Sequence, residues 1–213
     1  QENYKFHDHE KLAHYANAAA DIEFKFPFGF KELEGIHSRT DFDLSAHEKF
    51  SGRKLQYFDP ERNENYVPYV VETSIGLDRM FLALFSNCLK DEVLEDGSER
   101  TVLSLPPALA PVKAAILPLV KKDGLPEFAE KIFNDLKYDF NVISEEKDSI
   151  GKRYRRQDAI GTPFCITVDH DSLTDGTVTL RERDTMKQER VKVEDLRRII
   201  DEKVNFRTLL SKI

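Results

Sequence analysis

Ile75, Met80, Phe81, Leu84, Phe85 and Cys88 recur at helical spacing in and just after the stretch VETSIGLDRMFLALF, which predicts a helix from about residue 75 with one face in a core. Ser74 is a favoured N-cap for it, and Gly76 leaves the backbone open to close approach. Upstream, Leu12, Tyr15, Ala19 and Ile22 follow the same spacing and predict a short helix over 9–22. FKFPFGFKELEGI (24–36) is apolar and turn-punctuated, KLQYFD (54–59) and NYVPYVVE (65–72) are rich in aromatic and β-branched residues, and all three read as sheet. DPERNE is then the turn of a hairpin that leads straight into the helix. The first half thus reads as an antiparallel sheet with helices.

After a polar turn at EDGSER (95–100), the segment LSLPPALAP (103–111) resists both helix and central strand because of its prolines. It sets the expected boundary between residues 1–105 and 106–213. From there AAILPLV reads as strand and PEFAEKIFNDLKYDF as helix with Phe128, Ile132, Phe133, Leu136 and Phe140 inward. NVIS follows as strand, SIGKRYRRQDAIG as helix and PFCITVD as strand, a βαβαβ order. TVTLRERD and QERVKVED form a hairpin around DTMK, and VEDLRRIIDEKV is a final helix. This predicts a compact three-layer α/β domain with a mixed sheet.

Composition narrows the class. With 40% hydrophobic and 33% charged residues among 213, the chain reads as a soluble globular protein of one large or two ordinary domains. It has no run of about 18 apolar residues for a bilayer span, and its first residues are too polar for a signal peptide, so no membrane role is expected; a cytoplasmic location is expected from its cysteines. A chain that opens on Gln reads as a piece of a longer polypeptide or a processed product. Cys88 and Cys165 lack CxxC spacing and fit reduced core thiols. The net charge of −7 is uneven: residues 1–105 carry 12 Lys and Arg against 20 Asp and Glu, and residues 106–213 carry 20 against 19. Within the near-neutral half, KRYRR (152–156) offers a local basic stripe to a nucleic acid, and equally reads as a solvated helix face.

Candidate chemistry gathers in two places. Glu32 and Glu34, two apart on a strand, are expected to share a face; such a pair can hold a divalent cation beside nucleotide phosphates, or simply face solvent. Arg79, on a helix after a strand, can grip a phosphate in a planar, bidentate way that Lys cannot copy. Glu72 can accept a primary ammonium group, with Ser74 bonding the same ligand. An amine and a phosphate then lie in one cleft. HDHEKLAH (7–14) misses the HExxH zinc spacing by one position, since His9 and His14 are five apart. DHDSLTDG (169–176) lacks EF-hand spacing and reads as a loop.

These residues carry a resemblance. VETSIGLDRMFLALF resembles the third signature motif of class II aminoacyl-tRNA synthetases, and ELEGIHSRTDFDLSAH and HEKLAHYA resemble the glycyl-tRNA synthetases in particular. LSLPPALAPVKAAILPLVK, IGKRYRRQDAIGTPFCITVD and VTLRERDTMKQERV are similar to the anticodon-binding domain shared by the glycyl, threonyl, prolyl and histidyl enzymes. The resemblance covers nearly the whole chain. It implies that Glu72 and Ser74 contact glycine, with Thr73, Ile75 and Gly76 lining the same pocket. It further implies that Arg79 is the catalytic, ATP-binding arginine, with Gly76, Leu77 and Asp78 beside the nucleotide. Glu32, adjoining Leu33, becomes the ATP-side acid and holds Mg2+ through the phosphates of ATP. ATP is then a substrate and no prosthetic group is implied.

The reaction implied is attack of glycine on ATP to give glycyl-adenylate, then transfer of glycine to its tRNA. For the tRNA contact, where Lys and Arg hold phosphates, the first candidates are Lys152, Arg153, Arg155 and Arg156; at helical spacing these four cannot all face one way, so at most two or three are expected to matter, together with Arg181 and Arg183 from the later strand. The whole enzyme is expected to be a homodimer. Motif 1, which forms much of that interface, and motif 2, whose Arg holds the α-phosphate, do not appear in this chain, and Arg62-Asn63-Glu64 only imitates part of motif 2. The chain alone is therefore expected to be inactive. The competing expectation is a non-catalytic tRNA-binding or accessory protein that keeps a synthetase fold.

Overall fold

In a computed structural model, which describes residues 2–211, the chain divides into two compact units, Gln1–Ser86 and Asn87–Ile213. The first unit contains β1 (Tyr4–Asp8), β2 (Ala18–Phe26), β3 (Gly29–Ser38), α1 (Phe42–Ser51), β4 (Tyr57–Asp59), β5 (Glu64–Tyr66), β6 (Val71–Ile75) and all but the end of α2 (Leu77–Cys88). Its main sheet has the order β1-β2-β3-β6 and is antiparallel throughout. The helix expected over 9–22 does not form. Residues 18–26 pair on both sides as β2, with Phe24 and Phe26 buried and Lys25 exposed between them, so period two prevails over the helical spacing of Leu12, Tyr15, Ala19 and Ile22.

A second expectation fails in β3. The ladder slips between Ile22 and Glu23, so that Glu34 lies opposite Ile22 while Glu32 lies opposite Glu23, and Leu33 is the extra residue. Ile22 and Glu23 are consecutive and point to opposite faces, so the bulge separates the two glutamates that strict alternation would have placed together. The DPERNE turn forms as expected, in the small hairpin β4–β5, with Asn63 in left-handed backbone at φ 52°. The hairpin does not run directly into α2, because β6 leaves it to join the main sheet beside β3.

The apolar face assigned to α2 is only partly buried. Ala83 joins Phe24, Phe26 and Leu33 in a small core, whereas Phe81 is 66% exposed and stacks on Phe85 with ring centres 6.0 Å apart.

The second unit contains β7 (Leu89–Val93), β8 (Glu99–Leu103), β9 (Ala114–Pro118), α3 (Leu125–Leu136), β10 (Val142–Ser144), α4 (Ile150–Ile160), β11 (Phe164–Val168), α5 (Ser172–Asp175), β12 (Thr177–Glu182), β13 (Gln188–Lys192), α6 (Leu196–Val204) and α7 (Phe206–Leu210). Its five-stranded sheet runs β10-β9-β11-β12-β13, parallel across the first three strands and antiparallel across the last three. β9 and β11 are buried along their whole length, as befits central parallel strands covered on both faces. Ile132 and Leu136 of α3 and Leu196 and Ile200 of α6 pack with Ile116, Ile166 and Leu180 on one face. Ile150 and Tyr154 of α4 pack with Ala115, Leu117 and Cys165 on the other. The three-layer, mixed-sheet fold expected for residues 106–213 is therefore present.

The compact division falls earlier than the proline-rich segment, and the hairpin β7–β8 belongs to the second unit. Its Arg100 is buried between Glu92 and Asp158 of α4, with Nη1 also donating to the Arg183 carbonyl at 2.8 Å.

Candidate functional site

The junction of β6 with α2 is where the first unit concentrates its chemistry. Met80 N–H donates to the Gly76 carbonyl at 2.9 Å, so the helix starts at Gly76. Ser74 is a strand residue paired with Gly35 and not the N-cap. The first N–H groups of α2 have no intrahelical acceptor and open onto a cleft of about 510 Å³ lined by Glu32, Leu33, Ser74, Ile75, Gly76, Leu77, Asp78 and Arg79. A Cβ on Gly76 would meet only Arg79 Cβ and Cγ, at 3.8 and 3.9 Å, which are ordinary contacts. The surrounding fold does not demand glycine there; its missing side chain widens the cleft.

Arg79 bridges the two walls. Its Nη1 donates to the Glu32 carbonyl at 2.6 Å and lies 3.5 Å from the Glu32 carboxylate, with both side chains about half exposed. Such an exposed ion pair is weak, of order 0–1 kcal/mol, so the guanidinium can be released to a stronger anion. Glu32 thus meets Arg79, and the bulge keeps it from sharing a face with Glu34. Among the described residues no group of three or more His, Cys, Asp or Glu is placed to hold a metal ion.

Glu72 and Ser74 share one face of β6 with His37 and Gly35 of β3, whereas alternation turns Thr73 to the other face with Ile36. Glu72 is held: Arg39 Nη1 donates to its Oε2 at 2.7 Å. Nε and Nη2 of the same arginine grip both carboxylate oxygens of Asp43, at 2.6 and 3.0 Å, and its guanidinium carbon lies 4.0 Å from the Tyr15 ring centre. The Arg39 hydrogen bond is the main reason the Asp43 carboxyl lies below its ordinary range. Sequence reasoning leaves Arg39 without a role. The one available signal is an Arg four residues before an Asp, in SRTDFD.

The basic stretch of α4 is a different matter. Arg153 is 2% exposed: it donates to the carbonyls of Pro118 (2.7 Å), Leu119 (3.2 Å) and Glu145 (3.1 Å), and burial lowers its pKa. Arg181 is 4% exposed and bidentate to fully buried Asp158, at 2.7 and 2.9 Å. Arg183 is also interior, with donors spent on the Gly161 and Leu105 carbonyls and on Asp184. These three arginines act within the fold and present no face to RNA. Arg156 is part-exposed and paired with Glu145 and Asp148; Arg155 stands within 4.0 Å of Asp158; Lys152 is exposed. Only Lys152, Arg155 and Arg156 of the six remain on a surface.

His9 Nε2 lies 2.9 Å from Asp21, and His14 packs on Tyr15 and Phe42; DHDSLTDG, expected as a loop, instead contains the short helix α5, with Asp169 bonded to Ser172 ahead of it. Both cysteines are free and buried, and burial pushes the Cys165 thiol up to about 12. No helix among the described residues is long and apolar enough to cross a membrane.

Residues 113–203 match the family described as the anticodon binding domain. The chain is 57% identical over 191 residues to a glycine–tRNA ligase of Chlorobaculum tepidum, covering 90% of this chain and 40% of that protein. It is 54% identical over 208 residues to one of Macrococcus caseolyticus and 54% identical over 212 residues to one of Clostridium perfringens; each match covers 97% of this chain and 45% of the relative. The chain therefore spans less than half the length of the relatives it matches. Along nearly its whole length the chain matches a part of the glycine–tRNA ligases, and that part includes the anticodon binding domain.

Proposed function

We propose that the chain supplies part of the active site and the tRNA-reading unit of a glycine–tRNA ligase. The observation that carries this reading is the cleft at the β6–α2 junction. It brings Glu32 and Leu33 together with Gly76, Leu77, Asp78 and Arg79, residues more than forty positions apart. Phosphates of ATP lie against the free N–H groups at the start of α2 and against Arg79, once that side chain turns from Glu32. Glu32, together with the phosphates of ATP, would hold Mg2+, which would supply further charge neutralisation there.

Glu72 receives the ammonium group of glycine and Ser74 bonds the same substrate, which directs the glycine carboxylate toward the α-phosphate. A new bond forms between carboxylate oxygen and phosphorus, and pyrophosphate leaves. The terminal ribose hydroxyl of the tRNA then attacks the acyl carbon, releasing AMP. No enzyme nucleophile is needed; positioning and charge stabilisation do the work.

In the second unit Lys152, Arg155 and Arg156 hold phosphates of the tRNA, while unstacked anticodon bases are read by hydrogen bonding and stacking. The complete enzyme works in the cytoplasm as a homodimer. This chain alone makes no glycyl-adenylate. The test is glycine-dependent pyrophosphate exchange. This chain is expected to give none, the polypeptide extended to its relatives' full length is expected to be active, and Arg79→Ala in the latter is expected to lose about a hundredfold to a thousandfold. Exchange by the chain alone, or full activity of the Arg79 variant, would overturn the reading.

A further inference from the structure

We propose that Arg39 is a positioning residue for the glycine site, holding Glu72 by one carboxylate oxygen so that the other stays available to the ammonium group. The inference rests on the role given to Glu72 above. Arg39 follows the end of β3. Its N–H donates to the Val70 carbonyl at 2.8 Å, and Val70 N–H donates to the Thr40 carbonyl at 2.9 Å, so β3 and the approach to β6 stay paired around its root. Thr40 takes left-handed backbone, φ 55°, and its hydroxyl donates to the Tyr15 carbonyl; the chain turns there into α1 and brings Asp43 back beside the guanidinium.

Each part of the Arg39 side chain is fixed. Nε and Nη2 form a fork on Asp43, one face rests on Tyr15, and only Nη1 reaches Glu72. Among the described residues, Oε2 is the Glu72 oxygen that accepts a hydrogen bond. A guanidinium is suited to this because its planar donors diverge, whereas an ammonium group is a point charge. Charge balance points the same way. Two carboxylates share one cation, so the group keeps one negative charge, which a glycine ammonium can neutralise. Without Arg39, Asp43 and Glu72 would repel each other and Glu72 would turn freely, losing the pre-organisation that makes a charged hydrogen bond effective.

The experiment measures KM for glycine and for ATP in pyrophosphate exchange by the extended, full-length polypeptide. Arg39→Ala is expected to raise KM for glycine about tenfold to a hundredfold and to leave KM for ATP within about twofold; Arg39→Lys is expected to recover part of the loss. A residue that merely stapled the strands would move both constants together, and that result, or no change in either, would overturn the proposal. If Arg39→Ala does not fold, Arg39→Lys carries the test, because it keeps the charge and loses the fork: a selective rise for glycine supports the proposal and equal shifts contradict it. Glu72→Gln separates the two levels. If it leaves KM for glycine unchanged, the glycine role of Glu72 fails and this inference falls with it. If it raises that constant while the Arg39 variants do not, only the positioning role fails.

Discussion

In the second unit both faces of β9 and β11 are covered, by α3 and α6 on one side and α4 on the other, and buried apolar residues run from Ala114 to Val204. In the first unit the buried cluster is Phe24, Phe26, Leu33 and Ala83, while Phe6, Phe28, Phe50 and Phe81 stand in solvent. Helix α2 carries apolar residues at a spacing like that of α3 and α6 and meets very different burial. A hydrophobic pattern reports the surroundings that a sequence is suited to, and in this unit much of the apolar surface of α2 has nothing packed against it. That asymmetry fits the proposal that the first unit holds only part of a catalytic site, in a chain spanning 40% to 45% of its relatives' length. The second unit has the core of a domain complete in itself.

The largest effect expected from breaking the comparison is at Asp158. Replacing it by Ala leaves Arg181 and Arg100 buried without their shared carboxylate, and should cost the second unit about 3–5 kcal/mol in guanidinium chloride unfolding followed by circular dichroism. Next, Ile200→Ala in the buried face of α6 should cost about 2–5 kcal/mol. Phe81→Ala on exposed α2 should cost within about 0.5 kcal/mol, and an equal loss at the two positions would abolish the contrast.

Acid should act on the second unit through Asp169. Burial raises its pKa, but the Arg190 and Ser172 hydrogen bonds outweigh that and hold it below the ordinary value of about 3.9. A depressed folded pKa means that the pair stabilises above the unfolded value and that this stability is lost as pH falls through the folded one. Asp169→Asn should therefore lower stability at pH 7 by at most about 1 kcal/mol and converge with the parent as pH falls through the folded pKa of Asp169; a constant gap across that fall would contradict the linkage.

Much of the second unit was legible in the sequence, because fully apolar strands alternating with amphipathic helices have few other solutions. The short helix α5 carries too few apolar positions to register, and α1 buries none of its residues. The first unit was less legible: β2 was hidden by a coincidence of helical spacing, and the bulge at Leu33 depends on its pairing with β2. Within the candidate site, the cleft residues were recognised through motif resemblance, and the geometry brings them together. Within the run KRYRR, Arg153 turns inward for a physical reason. A long arginine on α4 can reach the strand-end carbonyls of Pro118 and Leu119 and be buried among them, which no local pattern shows. Arg39 escaped notice because its acceptor, Glu72, lies thirty-three residues away.

The central claim is that the second unit reads tRNA while the first only contributes to catalysis. Titrating this chain with tRNA for glycine and with a non-cognate tRNA, at low and moderate salt, tests it most directly. The account predicts preference for the cognate tRNA that persists at moderate salt. It also predicts a salt slope that falls by about 0.7 to 0.9 for each of Lys152, Arg155 and Arg156 replaced by Ala. Equal binding of both tRNAs that vanishes with salt, unaffected by those replacements, would contradict it.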